Sequence, residues 1–321
     1  MNAAFKRFFK GLSRRPNFKK KNKSTDSFYV GGDQIKVVNK KIWIPNLGWV
    51  RLKESLRFDG KIRSATFSRK ADRWFVSVQV DIETLPKKTK KNVLKEAVGL
   101  DLGINSIVHS SDGISIASPK PLKKSLRALR RASRKLTKKD KKSKRREKAK
   151  LRVQKIHQKI SNLRKDITHK ITSHYTSHYK NIAIEDLNIS GMLKNHKLSR
   201  AISDLGFYEL RRQLEYKSKM YGNNLILADR FFPSSKRCSS CGMVKKDFSL
   251  KERTYNCTCA VSLDRDLNAS LNLRNLIKIG PARPEFTPRE MTALDLWTLS
   301  LDPTSIDEVG SEQQTCMRKF A

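Results

Sequence analysis

A chain of 321 residues carries 70 Lys+Arg against 30 Asp+Glu, a formal charge of +40, with a hydrophobic fraction of 37%. That length supports a sizeable core and two or three domains. That charge argues for a polyanionic partner, nucleic acid ahead of an anionic membrane surface. No run of about 18 apolar residues occurs, so no spanning helix is expected. The basic, aromatic start MNAAFKRFFKGLSRRPNFKKK lacks the apolar core and cleavage site of a secretory signal. Five cysteines, four of them in two close pairs, fit a reducing cytoplasm and a bound metal better than a disulfide framework.

Residues 1–25 read as a basic arm with Phe5, Phe8, Phe9 and Phe18 interleaved among the cations. Residues 26–83 read as β. KIWIPNLGWVRLK breaks at Pro45 and Gly48 in the manner of a hairpin or meander, and WFVSVQVDI places Val76, Val78, Val80 and Ile82 on one face. LPKKTKKN, at 85–92, is a polar linker. AVGLDLGINSIVHSSDG then holds two short apolar runs around a Gly-Ile-Asn turn, which predicts a strand, a turn and a second strand.

Two helical stretches follow, with Leu122, Leu126, Leu129 and Leu136 on the apolar face of one and Ile156, Ile160, Leu163, Ile167 and Ile171 on that of the other. Between them KKDKKSKRREKAK has too little apolar surface to bury, so it is either a solvated helix tip or a disordered loop. On an already basic helical pair such a run suits the tracking of phosphates. NIAIEDLNISGM (181–192) predicts a short apolar strand ending in acids, then a loop with Gly191. FYELRRQLEYKSKMYG is an amphipathic helix stopped by Gly222, NLILADR is another strand, and the cysteine segment leads into a short helix over about 264–278. From Pro281 to Ala321 periodicity is lost, and the tail is expected to be extended or disordered.

Three acids share one peculiarity. Asp101 interrupts an apolar strand, Glu185 closes another, and Asp266 stands at the start of the last helix. A carboxylate at the end of a buried strand is costly unless it is paired or binds a cation. Three in one β/α region can converge on divalent metal, which activates water for phosphodiester hydrolysis. Each also has a local explanation: Asp101 as a turn-initiating residue before Gly103, Glu185 as the cap of the next turn, Asp266 or Asp264 as a helix N-cap. The cysteines run Cys238-x-x-Cys241, fifteen intervening residues, then Cys257-x-Cys259. Four thiolates on two short knuckles suit tetrahedral zinc in a structural site, and the spacing is close to a zinc ribbon. The second knuckle is one residue short of the usual C-x-x-C; the alternative is that Cys257 or Cys259 is a buried thiol. Cys316 stands alone in the tail.

AVGLDLGINSIV, IAIEDLNISGM, RFFPSSKRCSSCG and DRDLNASLNL, in this order, resemble the TnpB family, also called OrfB, of bacterial insertion sequences, relatives of the type V CRISPR effector nucleases. FFKGLSRRPNFKKK, IPNLGWVRLK, WFVSVQV and PARPEFTPRE add weaker matches, so the resemblance covers nearly the whole chain. It implies an α/β chain with an RNase H-like (RuvC-type) nuclease domain, an inserted zinc ribbon and a preceding partial β-barrel region. The implied divisions are the basic arm 1–25, the barrel region 26–90, the nuclease domain 91–230 with a basic helical pair at about 120–178, the ribbon 231–262, the last nuclease helix 263–280 and the tail 281–321. Asp101, Glu185 and Asp266 map onto the family's catalytic acids, Asp266 because it opens the D-x-N-A pattern with Asn268 and Ala269. The implied cofactors are catalytic magnesium or manganese and structural zinc on Cys238, Cys241, Cys257 and Cys259. The implied activity is that of an RNA-guided DNA endonuclease, with DNA and a guide RNA from the transposon end as partners, no membrane, and a cytoplasmic location. Against the family pattern the chain is expected to be shortened at its N-terminus, which keeps two other readings open: a non-cleaving nucleic-acid-binding remnant or regulator, and a zinc-ribbon DNA-binding transposase.

Overall fold

The computed structural model describes residues 2–17, 26–82, 94–249, 252–279 and 315–316. Residues 18–25 of the basic arm, the polar linker 85–92 and the tail apart from 315–316 lie outside them. The chain is a mixed α/β protein with two compact units, Met1–Asp81 with Gln313–Ala321, and Ile82–Glu312.

The first unit is antiparallel β, apart from the short helix α1 (Asn2–Phe9), where a basic arm was expected, and a 3-10 turn at Gly32–Gln34. Its strands are β1 (Ser27–Gly31), β2 (Lys36–Val38), β3 (Lys41–Ile44), β4 (Gly48–Arg51), β5 (Lys61–Lys70) and β6 (Arg73–Asp81). β2, β3 and β4 form one sheet; β1, β5 and β6 form another, extended by a last strand, β14 (Thr315–Cys316). At Thr315–Cys316 the tail, expected to be extended or disordered, is extended and paired with β6. β6 pairs with β5 on one side only, and its other edge offers free N–H and C=O groups that β14 takes up. Period-2 alternation turns Val76, Val78 and Val80 inward, against Phe67, Ile42, Ile44 and Val50 in a single core. Between β3 and β4 the chain reverses through Asn46 and Gly48, both at positive φ.

The second unit is built on a five-stranded sheet of order β11-β10-β7-β8-β9. Its strands are β7 (Lys95–Asp101), β8 (Ser106–Ser110), β9 (Ser115–Ala117), β10 (Tyr179–Glu185) and β11 (Asn224–Ala228). β10 is parallel to β7 and β11, while β8 and β9 run antiparallel. Between β9 and β10 come α2 (Pro121–Thr137) and the 35-residue α3 (Lys144–His178). The charged run between the two leucine and isoleucine patterns is a helix hairpin: Ser143 caps α3 by accepting from the Arg146 N–H, and Arg146 donates back to the carbonyls of Leu136 and Lys139 at the end of α2. Leu163, expected on the apolar face of α3, is 39% exposed.

Where a loop was expected after Glu185, two short helices occur, α4 (Ile189–Leu193) and α5 (Ser199–Leu205), before α6 (Phe207–Tyr221). α5 supplies Asp204, almost fully buried, which accepts from the N–H groups of Leu122 and Lys123 at the start of α2 and from the Arg164 guanidinium of α3. An acid from another element thus caps α2, whose own N-cap, Lys120, offers no side-chain acceptor. The second unit's described course ends with the hairpin β12 (Thr254–Asn256) and β13 (Ser262–Asp264), then α7 (Arg265–Ile279).

Candidate metal centres

The two faces of the sheet are chemically distinct. Val98 and Leu100 of β7 and Ile182 and Ile184 of β10 join one core with Ile171 of α3 and Leu210 and Leu214 of α6. Alternation sends Ala97, Gly99 and Asp101, and Asn181, Ala183 and Glu185, to the opposite face. On that face Ala183 packs with Leu273 of α7. Gly99 allows this: an added Cβ would lie 2.0 Å from the Ser270 carbonyl oxygen and 2.5 Å from the Arg274 amide nitrogen. Ala183 pairs with Gly99 and Ile184 with Leu100, so one step further the register brings Glu185 beside Asp101 at the C-terminal ends of two parallel strands. Asp266, in the first turn of α7, overlies the same strand ends.

The electrostatics follow from this placement. Burial, then the charges of Glu185 and Asp266, push the Asp101 carboxyl well above the usual carboxylate range, with Arg265 acting in opposition. Burial raises Glu185 too, partly offset by the Ser234 hydroxyl, which donates to it. Asp266 faces two cations, Arg265 Nε at 3.3 Å and Arg253 Nη1 at 3.9 Å, and the ring of His109, whose Nε2 lies 3.6 Å away. Asp264 does different work. Its Oδ1 accepts from the N–H groups of Asp266 and Leu267 at 2.9 and 3.1 Å, capping α7. Sequence reasoning missed His109 and Ser234. His109 sits opposite Asp101 across the β7–β8 ladder, and only a polar residue in the apolar run IVHS hinted at it. Ser234, 49 residues from Glu185, left no local signal.

Among the described residues, only Cys238, Cys241, Cys257 and Cys259 bring ligand atoms of three or more such side chains within 4.8 Å of one another. The sulfurs of Cys238 and Cys259 are 3.6 Å apart and those of Cys241 and Cys257 3.5 Å. Tetrahedral bonds of about 2.3 Å would separate sulfurs by roughly 3.8 Å, so this set fits a tetrahedral metal such as zinc. The two knuckles are built alike. In the first, Cys238 N–H donates to the Met243 carbonyl and Gly242 N–H to the Cys238 carbonyl; in the second, Cys257 N–H donates to Val261 and Ala260 N–H to Cys257. The second is one residue tighter, and Ala260 (φ +64°) occupies the left-handed position that Gly242 (φ +80°) fills in the first. Shared protons drive the thiols apart: Cys257 falls to about 6, helped first by the backbone N–H of Cys259, while Cys259, lowered by the backbone N–H of Val261, is nevertheless pushed up to about 12 by hydrogen bonding with Cys257 and the other thiols and by burial.

The cysteine segment is fastened to α7 by three asparagines spaced along one helix face. Asn268 accepts from the Ser239 N–H and donates to the Arg237 carbonyl. Asn272 donates to the carbonyls of Ser234 and Arg237, and Asn275 to that of Ser239. The same segment therefore holds α7 through its asparagines and Glu185 through Ser234. Elsewhere on this unit α2 presents Lys123, Arg127, Arg130, Arg131 and Arg134 along its length, with Lys138 at its C-cap. Among the described residues, no helix is long and apolar enough to cross a membrane.

A family model described as "Probable transposase" (OrfB_IS605) matches residues 76–196, and a Cas12f1-like TNB domain model matches 207–273. A Streptomyces pristinaespiralis protein named "Putative RNA-guided DNA endonuclease" is 35% identical over 277 residues, covering 85% of this chain and 68% of that protein. The Escherichia coli protein named "Putative RNA-guided DNA endonuclease InsQ" is 30% identical over 298 residues, 88% of this chain and 72% of the relative. Among solved structures, a Cas12f1–sgRNA–target DNA complex aligns over 67% of this chain with a TM-score of 0.48 and 17% identity, and a CRISPR-Cas12f ternary complex over 68% with 0.42 and 18%. The chain spans less than half, 46%, of each of those two proteins.

Proposed function

Since the chain belongs to the OrfB (TnpB) family of insertion-sequence proteins, we propose that it is an RNA-guided DNA endonuclease whose divalent-cation site is formed by Asp101, Glu185 and Asp266. The observation that carries this reading is the register that sets Glu185 beside Asp101 at adjacent parallel strand ends, below the helix that bears Asp266, with Asp101 raised by burial and then by the charges of the other two, although the three carboxylates do not close to within 4.8 Å of one another. Mutually repelling carboxylates, crowded where burial already disfavours their charge, are stabilised by a hard cation. The sheet order, with three antiparallel strands on one side and two parallel ones on the other, supports an RNase H-like (RuvC-type) domain over 91–230 and 263–280, interrupted by a ribbon at 231–262 and preceded by a barrel-like region at 26–90.

Magnesium or manganese held there would supply water activation and neutralise charge on the leaving oxygen. The protein's own residues set the stage for this. Ser234 fixes the Glu185 carboxylate, Asp264 sets the first turn of α7, and His109 and Arg265 hold Asp266 at the strand ends. Zinc on the four cysteines would fix the segment that supports both Glu185 and α7. The cationic face of α2 and the basic α3 suit the phosphate backbones of a guide and its DNA, without reading sequence.

The test uses the full chain with RNA transcribed from the transposon end and a plasmid carrying the matching target. Cutting should require magnesium or manganese and stop in Asp101→Ala, while nucleic-acid binding persists and falls steeply with salt. Cutting by Asp101→Ala would sink the carboxylate mechanism. Guide binding without cutting by the wild-type chain would favour the non-cleaving regulator.

A further inference from the structure

Two large aromatic side chains are exposed among the described residues of the carboxylate-bearing unit, Phe231 at 88% and Tyr208 at 60%. Isolated exposed apolar residues need no explanation, but each of these two is a near neighbour in the chain of an arginine of one ion-pair junction. Asp186, directly after Glu185, binds Arg211 of α6 through one oxygen and Arg230, at 3.2 Å, through the other. Tyr208 lies one turn before Arg211 on α6, and Phe231 follows Arg230. The loop carrying Phe231 is held firmly. Asp229 Oδ1 accepts from the Phe231 N–H at 2.8 Å, the Asp229 carbonyl accepts from Phe232 at 3.0 Å, and the Phe232 carbonyl accepts from Ser234 at 2.8 Å. Ser234, three residues on, is the group that donates to Glu185. Phe231 therefore projects from a fixed loop, on a support shared with a proposed metal ligand.

Water-exposed rings carried on the same elements as these arginines, in a chain of net charge +40, suit the π-face of an unpaired base on an anionic strand. A duplex buries those faces between stacked pairs, so the occupant is single-stranded. We propose that Phe231 and Tyr208 form a stacking platform that seats unpaired bases of the DNA strand entering the carboxylate site. This rests on the nuclease reading for what happens next to the strand, not for the stacking itself.

The experiment separates the two. The full chain, in chelator so that nothing is cut, is irradiated with single-stranded DNA containing 5-iododeoxyuridine, and crosslinks are mapped after trypsin. The expected sites are the peptides spanning 231–236 and 201–211. In parallel, binding is measured at 0.5 M salt, where phosphate contacts are screened, with a mixed-sequence oligonucleotide and an abasic one of equal length. Phe231→Ala should weaken the mixed-sequence complex by about 5- to 100-fold, leave the abasic complex unchanged, and be rescued by Phe231→Trp. Because the ring is exposed, the variant should fold normally, which its melting curve checks. Crosslinks confined to the basic helices, or equal affinity for abasic and mixed DNA, would overturn the proposal. So would crosslinking of these peptides by 5-iodouridine RNA but not by DNA. Stacking by a protein that never cuts would leave the platform standing and refute the nuclease reading.

Discussion

Replacing Gly99 with alanine tests the joint on which the proposed carboxylate site rests. The new Cβ would stand 2.0 Å from the Ser270 carbonyl oxygen, 2.5 Å from the Arg274 amide nitrogen and 2.9 Å from the Leu273 Cβ. Ordinary carbon–oxygen contacts begin near about 3.3 Å, so α7 must retreat by roughly an ångström. Two of the three atoms are backbone, and no rotamer change relieves them. Two effects oppose each other. Alanine restricts the unfolded chain and by itself would stabilise by about 0.4–1 kcal/mol, whereas overpacking a close contact costs about 1–3 kcal/mol. The second wins because the helix moves as a body, for a net loss of about 1–2 kcal/mol. For a unit of this size that is a fall in Tm of roughly 2–8 °C. Asp266 lies one turn before Ser270 on the displaced helix, so the loss should be accompanied by a higher magnesium concentration for half-maximal cutting. Binding through the Lys/Arg surface should not change. Thermal melting and a magnesium titration of plasmid cleavage read both effects. A Gly99→Ala protein that melts and titrates like the wild type would refute the idea that α7 is clamped to β7 at this point.

Asp204→Ala leaves the start of α2 without its acceptor and Arg164 without its partner, and should cost about 2–4 kcal/mol. Urea unfolding measures this, and proteolysis should move into α2. Ala260→Gly relieves the left-handed strain at φ +64° and should stabilise the second knuckle by a net of about 0.5–1 kcal/mol, seen as slower metal loss to a chelator. His169 sets an acid limb. Burial, then Lys217, depress it from 6.5 to about 4, so between those values the unfolded chain holds the extra proton and stability falls as pH drops through that window. His169→Gln should flatten the dependence of Tm on pH between about 6.5 and 4; an unchanged slope would place the acid sensitivity elsewhere.

The strands of both units were legible in the sequence because their signal is local: alternation marked Val76, Val78 and Val80, and short apolar runs marked Val98–Leu100 and Ile182–Ile184. The cysteine pairs were legible from spacing alone. The acids stood out because a carboxylate in an apolar run carries a cost that only a partner offsets. What the acids face was decided elsewhere. The register of β10 on β7 sets Glu185 beside Asp101, and a missing side chain at Gly99 lets α7 come close enough to bring Asp266 over them. The contributions of His109, Ser234 and Asp204, the pairing of Thr315–Cys316 with β6, and the turn of Asp264 toward the α7 backbone likewise depend on partners far along the chain. Periodicity tells a residue which way to point; it says nothing of which distant backbone will be waiting there, and that is settled only when sheet and helix close-pack.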